Sequence, residues 1–394
     1  MPCVRLALTC AIALLLGACA TGRTLPPLAP DTAPAAKMLH FVSDRGIEMA
    51  PGGALRFSTR RDPAMSYGVA APGAGEGTTG PRGVRVLVRF PGTPLPFDVR
   101  GGQPVTEPAA ARAYDASAAA VRAELAGGLA ARGTRDILLY VHGFNSRFHD
   151  TIATLARIRA ASGKDALPVA FSWPAGNQGL FAYFKDRESG AFSVFHLKKT
   201  LRLLASVPGL RRIHVVAHSR GSQVVTTALR EMVIAERAAG RDPRRSLGIE
   251  NLILAAPDLD FSVVRQRLIA EQFGPAFGRI TVYVNPGDSA LGLAQFLLTG
   301  VRFGRISFDQ LRPEEREIFT AVRNVDFINV SGVVGRRSHV YFSANPDVLR
   351  DMAAVIDSGA APGDPARSLE PDEGNFWRLI QRRDTPLIRK GPDR

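Results

Sequence analysis

The sequence predicts an α/β protein in three layers, a mostly parallel central sheet with helices on both faces. Three observations carry this. Short, β-branched apolar runs recur near 136–141, 167–173, 212–217, 250–256, 280–285 and 325–330. They are apolar along their length, as strands buried on both faces must be. Stretches of helical length alternate with them, the rhythm of parallel crossovers. Two of the runs also end in residues with chemistry to offer, His142-Gly143 and Ser219, where such sheets open into functional loops. The 394 residues, 45% hydrophobic, suffice for one large core without a second large domain.

The chain before this core reads in pieces. Arg5 is followed by an apolar run to Leu16 that is too short to span a bilayer and fits an export signal over residues 1–18. Leu16-Gly17-Ala18-Cys19 fits a lipoprotein signal, in which the thiol of Cys19 is acylated and becomes the first mature residue. Two or more acyl chains, at about 0.8 kcal/mol per buried methylene, make a stable anchor. Ala20 after that cysteine fits an outer-membrane protein facing the periplasm. The alternative is an ordinary cleavage site at Ala18-Cys19-Ala20 and a soluble exported protein. Cys3 and Cys10 fall in the removed segment, so no disulfide is expected. Residues 19–39, rich in Ala, Pro and Thr, read as a tether. Within 40–133, pieces such as Leu55-Arg56-Phe57-Ser58 and Val84–Phe90 alternate as half-exposed strands. They either begin the main sheet or form a small flap. An Ala-rich helix over 109–133 follows, then the core at 134–358. Residues 359–394 form a polar, basic tail that contains Phe376-Trp377.

A net charge of +14 raises the question of nucleic acid. Only six of the 50 basic residues are Lys, and Arg is scattered along an Ala-rich chain. No Arg-aromatic module or zinc spacing accompanies it, so no nucleic-acid partner is expected. Anionic lipid head groups near the anchor suit the charge better. No His/Cys/carboxylate cluster has metal-ligand spacing, and no cofactor is called for.

The chemistry centres on Ala217-His218-Ser219-Arg220-Gly221. A strand stops at Ser219, and Val224, Val225, Ala228, Leu229, Met232 and Val233 then recur at helical spacing. Strand, serine, helix is a nucleophile elbow, with small residues at 217 and 221 because the two backbones pass closely. Its first small residue is Ala217 rather than glycine. The loop His142-Gly143-Phe144-Asn145 ends an earlier strand, so the backbone N–H groups of Phe144 and Arg220 are the candidates to hold an oxyanion. Losing one such donor costs about 3–4 kcal/mol in the transition state. A base that follows the serine in chain order must be His339, since the other six histidines precede Ser219. His218 and His142 are read as packed structural histidines. For the acid, Asp288 at the strand end in Asn285-Pro286-Gly287-Asp288 is preferred. Asp258, in Ala255-Ala256-Pro257-Asp258-Leu259-Asp260, is the alternative, unless it caps the helix beginning near Phe261.

HGFN at 142–145, FSWPA at 171–175, AHSRG at 217–221, AAPDLD at 255–260 and SHVYFSANPDVL at 338–349 together resemble a bacterial family of α/β-hydrolase proteins. The similarity covers about residues 134–357, with a fainter part at Ser58-Thr59-Arg60 and Tyr67-Gly68. It implies the α/β-hydrolase fold and a serine hydrolase with Ser219, Asp288 and His339 at the matching positions, but no substrate. Arg220 departs from the smaller or apolar residue usual there. Its backbone N–H is unaffected, while its side chain either crowds the site or attracts an anionic substrate.

The expectation is an esterase- or lipase-like carboxylic-ester hydrolase acting through an acyl-Ser219 intermediate on a small-molecule or lipid ester. The segment 180–184, with Phe192 and Phe195, is expected as an apolar acyl wall or as simple helix packing, and 291–303 as a second wall. The alternatives are a peptidase or amidase on the same triad, or a silent scaffold acting as an envelope-binding lipoprotein.

Overall fold

The six apolar runs of the core form six adjacent strands. In the computed structural model, residues 23–29, 34–73, 80–163, 166–179, 181–335 and 338–381 are described. The export signal at 1–18 and Cys19 lie outside them. The strands are β1 (Leu39–Met49), β2 (Leu55–Ala71), β3 (Gly83–Arg89), β4 (Phe97–Arg100), β5 (Gln103–Thr106), β6 (Asp136–Val141), β7 (Leu167–Ser172), β8 (Arg212–His218), β9 (Ile249–Ala255), β10 (Arg279–Val284), β11 (Val325–Asn329), β12 (Leu369–Pro371) and β13 (Phe376–Leu379). Helices of eight residues or more are α1 (Pro108–Arg132), α2 (Phe148–Ala161), α3 (Ala182–Ala205), α4 (Arg220–Ala238), α5 (Ser289–Leu298), α6 (Pro313–Ala321) and α7 (Pro346–Ser358).

Eleven strands make one sheet in the order β12-β13-β11-β10-β9-β8-β6-β7-β1-β2-β3, while β4 and β5 pair apart as a hairpin. From β13 to β1 every neighbouring pair is parallel; β2, β3 and β12 attach antiparallel at the edges. The fold is that of an α/β hydrolase. Period-two alternation splits each central strand between two apolar layers. Ile137, Leu139 and Val141 pack with Val121 and Leu125 of α1, Leu201 and Leu204 of α3 and Val225 and Leu229 of α4. Leu138 and Tyr140 pack on the other face with Ile152 and Leu155 of α2 and Val348 and Met352 of α7. Among the described residues no helix is long and apolar enough to cross a membrane.

After β6 the chain goes to β7 on one side, then crosses to β8 on the other. The loops that leave β6 and β8 therefore diverge, and a crevice opens at their carboxyl ends. Both motif-bearing strand ends, His142-Gly143 and Ser219, meet there.

One expectation needs correction, and two open readings are decided. The strand pieces within 40–133 belong to the main sheet rather than to a flap, because β1 pairs in parallel with β7. The tether reading of 19–39 does not hold for its described part: Leu25 bridges Leu55, Pro27 bridges Val84, and Leu25 and Leu28 are buried. Two leucines among prolines were enough to dock the strand-like segment against the edge of the sheet. The tail is likewise part of the fold where it is described. Phe376 of β13 stacks on Phe327 of β11 at 4.4 Å, so the aromatic pair carries the chain back onto the sheet edge.

Leu25→Ala should lower stability in denaturant titrations by about 2–4 kcal/mol, the cost of emptying a buried leucine site. A free tether would show no change.

Candidate active site

Ser219 leaves β8 with φ 51° and ψ −122°, a conformation unfavourable for any residue with a Cβ, and α4 starts at the next residue. Packing holds it there. A Cβ at Gly221 would fall 2.3 Å from the carbonyl oxygen of His142, and one at Gly143 would fall 2.8 Å from Cβ of Ser219. The loop after β6 and the elbow after β8 thus lie against each other with no room for a methyl group on either glycine. Ala217, one residue before His218 at the end of β8, is fully buried.

His339 reaches Ser219 from a different part of the chain. Its Nε2 lies 2.9 Å from Ser219 Oγ and its Nδ1 lies 2.7 Å from Asp288 Oδ2. A proton on Nδ1, given to the carboxylate, leaves Nε2 to accept from the serine hydroxyl. Asp288 is buried in the turn after β10, where its Oδ1 also accepts the N–H of Leu291 at 3.0 Å and so caps α5. One carboxylate is therefore fixed by the fold through one oxygen and faces the imidazole with the other. The loop that carries His339 is tied down by Asn285 Nδ2 donating to Ser338 O at 3.0 Å. His218 stacks on Phe342 at 4.2 Å, and its Nε2 lies 3.3 Å from the carbonyl oxygen of His339. It supports the loop and does not compete for the serine.

Asp258 is occupied elsewhere. It accepts from Tyr183 Oη at 2.9 Å and pairs with Arg220 Nη2 at 2.9 Å and Arg302 Nη1 at 3.6 Å. It is not the cap of the helical turn at Phe261 either; that role falls to Asp260, which accepts from the N–H groups of Ser262 and Val263. Of the two carboxylates left open by sequence, Asp288 is the one that meets His339.

The backbone N–H of Arg220 heads α4 and has no intrahelical acceptor. The N–H of Phe144 has no hydrogen-bond partner among the described residues, whereas that of Asn145, at φ 56°, donates to Asp186 Oδ2 at 2.9 Å. Two buried charges missed by sequence reading set this loop. Asp186 also takes the N–H groups of Gly176 and Asn177 at 3.1 Å each. Arg45 donates to Ser172 Oγ at 2.9 Å, Ala175 O at 2.7 Å and Ser146 O at 2.7 Å, bracing the loops after β6 and β7 together. Nothing in their local sequence marks them, because the backbone groups they bind lie in loops outside their own elements. His142 is structural, as expected for it: its ring stacks on Trp173 at 5.0 Å and its carbonyl accepts the Trp173 indole N–H at 2.7 Å.

The proposed walls are open. Phe181, Phe184 and Phe195 are exposed, and so are Leu293, Phe296 and Leu297 of α5. Tyr183 is the aromatic of that stretch that turns inward, to Asp258 and against Phe144 at 5.5 Å between ring centres. The segment therefore does not enclose an acyl pocket.

The family model described as alpha/beta hydrolase of unknown function (DUF900) matches residues 117–358, more than half of the chain. Among solved structures, a protein assigned as a cell surface hydrolase in Lactobacillus plantarum WCFS1 aligns at 11% identity and a TM-score of 0.35, covering 58% of this chain and 95% of the other. An esterase of Pyrobaculum calidifontis aligns at 13% and 0.29, over 57% and 76%. Esterase Est22 also aligns at 13% and 0.29, over 89% and 88%. Alignments this loose say nothing of substrate. No curated protein matches the chain.

Burial gives the histidines a consequence for stability. It holds His142 and His218 neutral, well below the usual imidazole range, with Arg45 adding to the effect at His142 and His339 at His218. Burial, with Arg132 nearby, lowers His40 to about 4. Each such group favours the folded state fully above about pH 6.5, where unfolded imidazole is also neutral. That contribution is lost as pH falls from 6.5 towards the folded value, at about 1.4 kcal/mol per unit and per histidine. Denaturant midpoints should therefore drop between pH 7 and pH 5; a flat profile there would contradict these burial effects.

Proposed function

The chain belongs to the alpha/beta hydrolases of that family, and from this premise we propose that it is a serine hydrolase cleaving carboxylic esters through an acyl-Ser219 intermediate. The observation that supports the reading most is the continuous relay from Ser219 Oγ through His339 to Asp288, with both hydrogen bonds inside normal distances. His339 Nε2 takes the hydroxyl proton as Ser219 attacks the carbonyl, then gives it to the departing alcohol. The same nitrogen next deprotonates a water that releases the acyl group. Asp288 fixes the imidazole tautomer and stabilises the imidazolium. The N–H groups of Phe144 and Arg220 flank the serine and receive the developing oxyanion.

Esters are favoured over amides as the substrate because an alcohol leaves an acyl carbon more readily than an amine, and the candidate acyl walls at Phe181, Phe184 and Phe296 are exposed. We also propose that Cys19 carries the lipid and holds the enzyme at the membrane on the exported side. The docking of Leu25 then leaves only a short span between lipid and body.

Hydrolysis of 4-nitrophenyl butyrate tests the reading. Ser219→Ala and His339→Ala should each reduce kcat/KM by about a thousandfold or more, and Asp288→Asn by about 10⁴. A loss in Asp258→Asn as large as that in Asp288→Asn would reverse the choice of acid. Faster cleavage of 4-nitrobutyranilide than of the ester would make the protein an amidase.

A further inference from the structure

Beside the elbow lies a cleft of about 270 Å³ whose lining is out of charge balance. Its carboxylates are Asp258 and Asp260, against guanidinium groups from Arg187, Arg220, Arg230, Arg267 and Arg302. The cleft is joined to the candidate nucleophile directly: Arg220 follows Ser219, and the N–H of Asp258 donates to Ser219 O at 3.2 Å. Not all the arginines are equivalent. Arg230 is taken by both carboxylate oxygens of Glu271. Arg302 and Arg220 form the floor, each with a side chain only 5% exposed, drawn together by Asp258.

That floor has spare donors. Nε of Arg220 and Nε of Arg302 are buried without a hydrogen bond, as is Asp258 Oδ1, while Nη2 of Arg220 is paired with Asp258 Oδ2 at 2.9 Å. A buried guanidinium with unmet N–H groups is costly to keep unless something completes it. At the rim, Arg187 of α3 and Arg267 are exposed. Arg187 has neither a hydrogen bond nor an ion pair among the described residues. The sequence left Arg220 as either an obstruction or an attractor. Its guanidinium lies over the Tyr183 ring at 4.7 Å, where it lines the cleft.

We propose that this cleft binds a phosphate group of the ester substrate, so that the enzyme acts on acyl esters of phosphorylated alcohols. The inference rests on the serine-hydrolase reading for the turnover and on the cleft alone for the binding. Phosphate fits better than carboxylate for a geometric reason. One guanidinium fork matches a planar carboxylate, whereas tetrahedral phosphate offers oxygens to donors on several sides. Here the donors come from α3, from the start of α4, and from the segments at 267 and 302. Arg220 and Arg302 take oxygens at the floor, while Arg187 and Arg267 close on the group from the rim.

Two measurements test it. Calorimetry of glycerol 1-phosphate with the Ser219→Ala protein requires no turnover; binding should be measurable and weakened at least tenfold by Arg187→Glu with Arg267→Glu. In the active protein, kcat/KM for butyryl-glycerol phosphate should exceed that for monobutyrin, and the same pair of rim changes should reduce that ratio at least tenfold. Vesicles of phosphatidylglycerol beside the soluble ester identify the source, a lipid headgroup or a free phosphoester; preference for either over its neutral counterpart supports the cleft. Binding in a protein that turns over no ester would remove the hydrolase reading and keep the phosphate site. Ester turnover indifferent to phosphate, together with no binding of glycerol phosphate, would overturn the proposal.

Discussion

The backbone of Ser219 is held at a positive φ because three pieces of chain converge on it with no slack. β8 ends beneath it, α4 starts beyond it, and the loop after β6 lies against both through Gly143 and Gly221. A turn of this kind costs of order 1–3 kcal/mol, and it persists because the neighbouring contacts leave no alternative. The result is a hydroxyl held at the carboxyl end of β8, where it meets His339. Every other feature of the site is arranged around that fixed point.

The supports fall on both sides of the crevice. On one side Arg45 and Asp186 bind backbone groups of the loops after β6 and β7, fixing where Phe144 presents its N–H. On the other, Asp288 is fastened to the start of α5 before it meets His339. His218 and Asn285 hold the histidine loop from below. Pre-set geometry of this kind is what acyl transfer draws on, since donors already in place need not reorganise as charge develops. The basic cleft shares the same elbow, since Arg220 follows Ser219 in the backbone and lines the cleft with its side chain.

How much of this the sequence disclosed depended on whether the signal was local. The six core strands and the long Ala-rich helix were legible because burial on two faces and helical spacing write themselves into consecutive residues. The elbow was legible for the same reason: small residues at 217 and 221 report a close approach directly. His339 could be reached by chain order alone. The acid could not be decided, since both Asp258 and Asp288 end strands, and only the packing of distant segments separates a ligand of Arg220 from a partner of His339. Arg45 and Asp186 were invisible because each binds backbone groups in loops outside its own element, and no local pattern reports such a contact. Leu25 was misjudged, and the docking of Phe376 was left undecided, for a related reason. They lie in Pro- and charge-rich stretches whose composition reads as solvated, and a single buried side chain is enough to dock such a segment.

The account stands on Ser219 being a nucleophile made reactive by its surroundings. The most direct measurement is treatment of the folded protein with a fluorophosphonate, followed by tandem mass spectrometry of its peptides. The account predicts one phosphonyl adduct, on Ser219, lost when His339 is replaced by alanine. A folded protein that takes up no label, or takes it up at another residue, would contradict it.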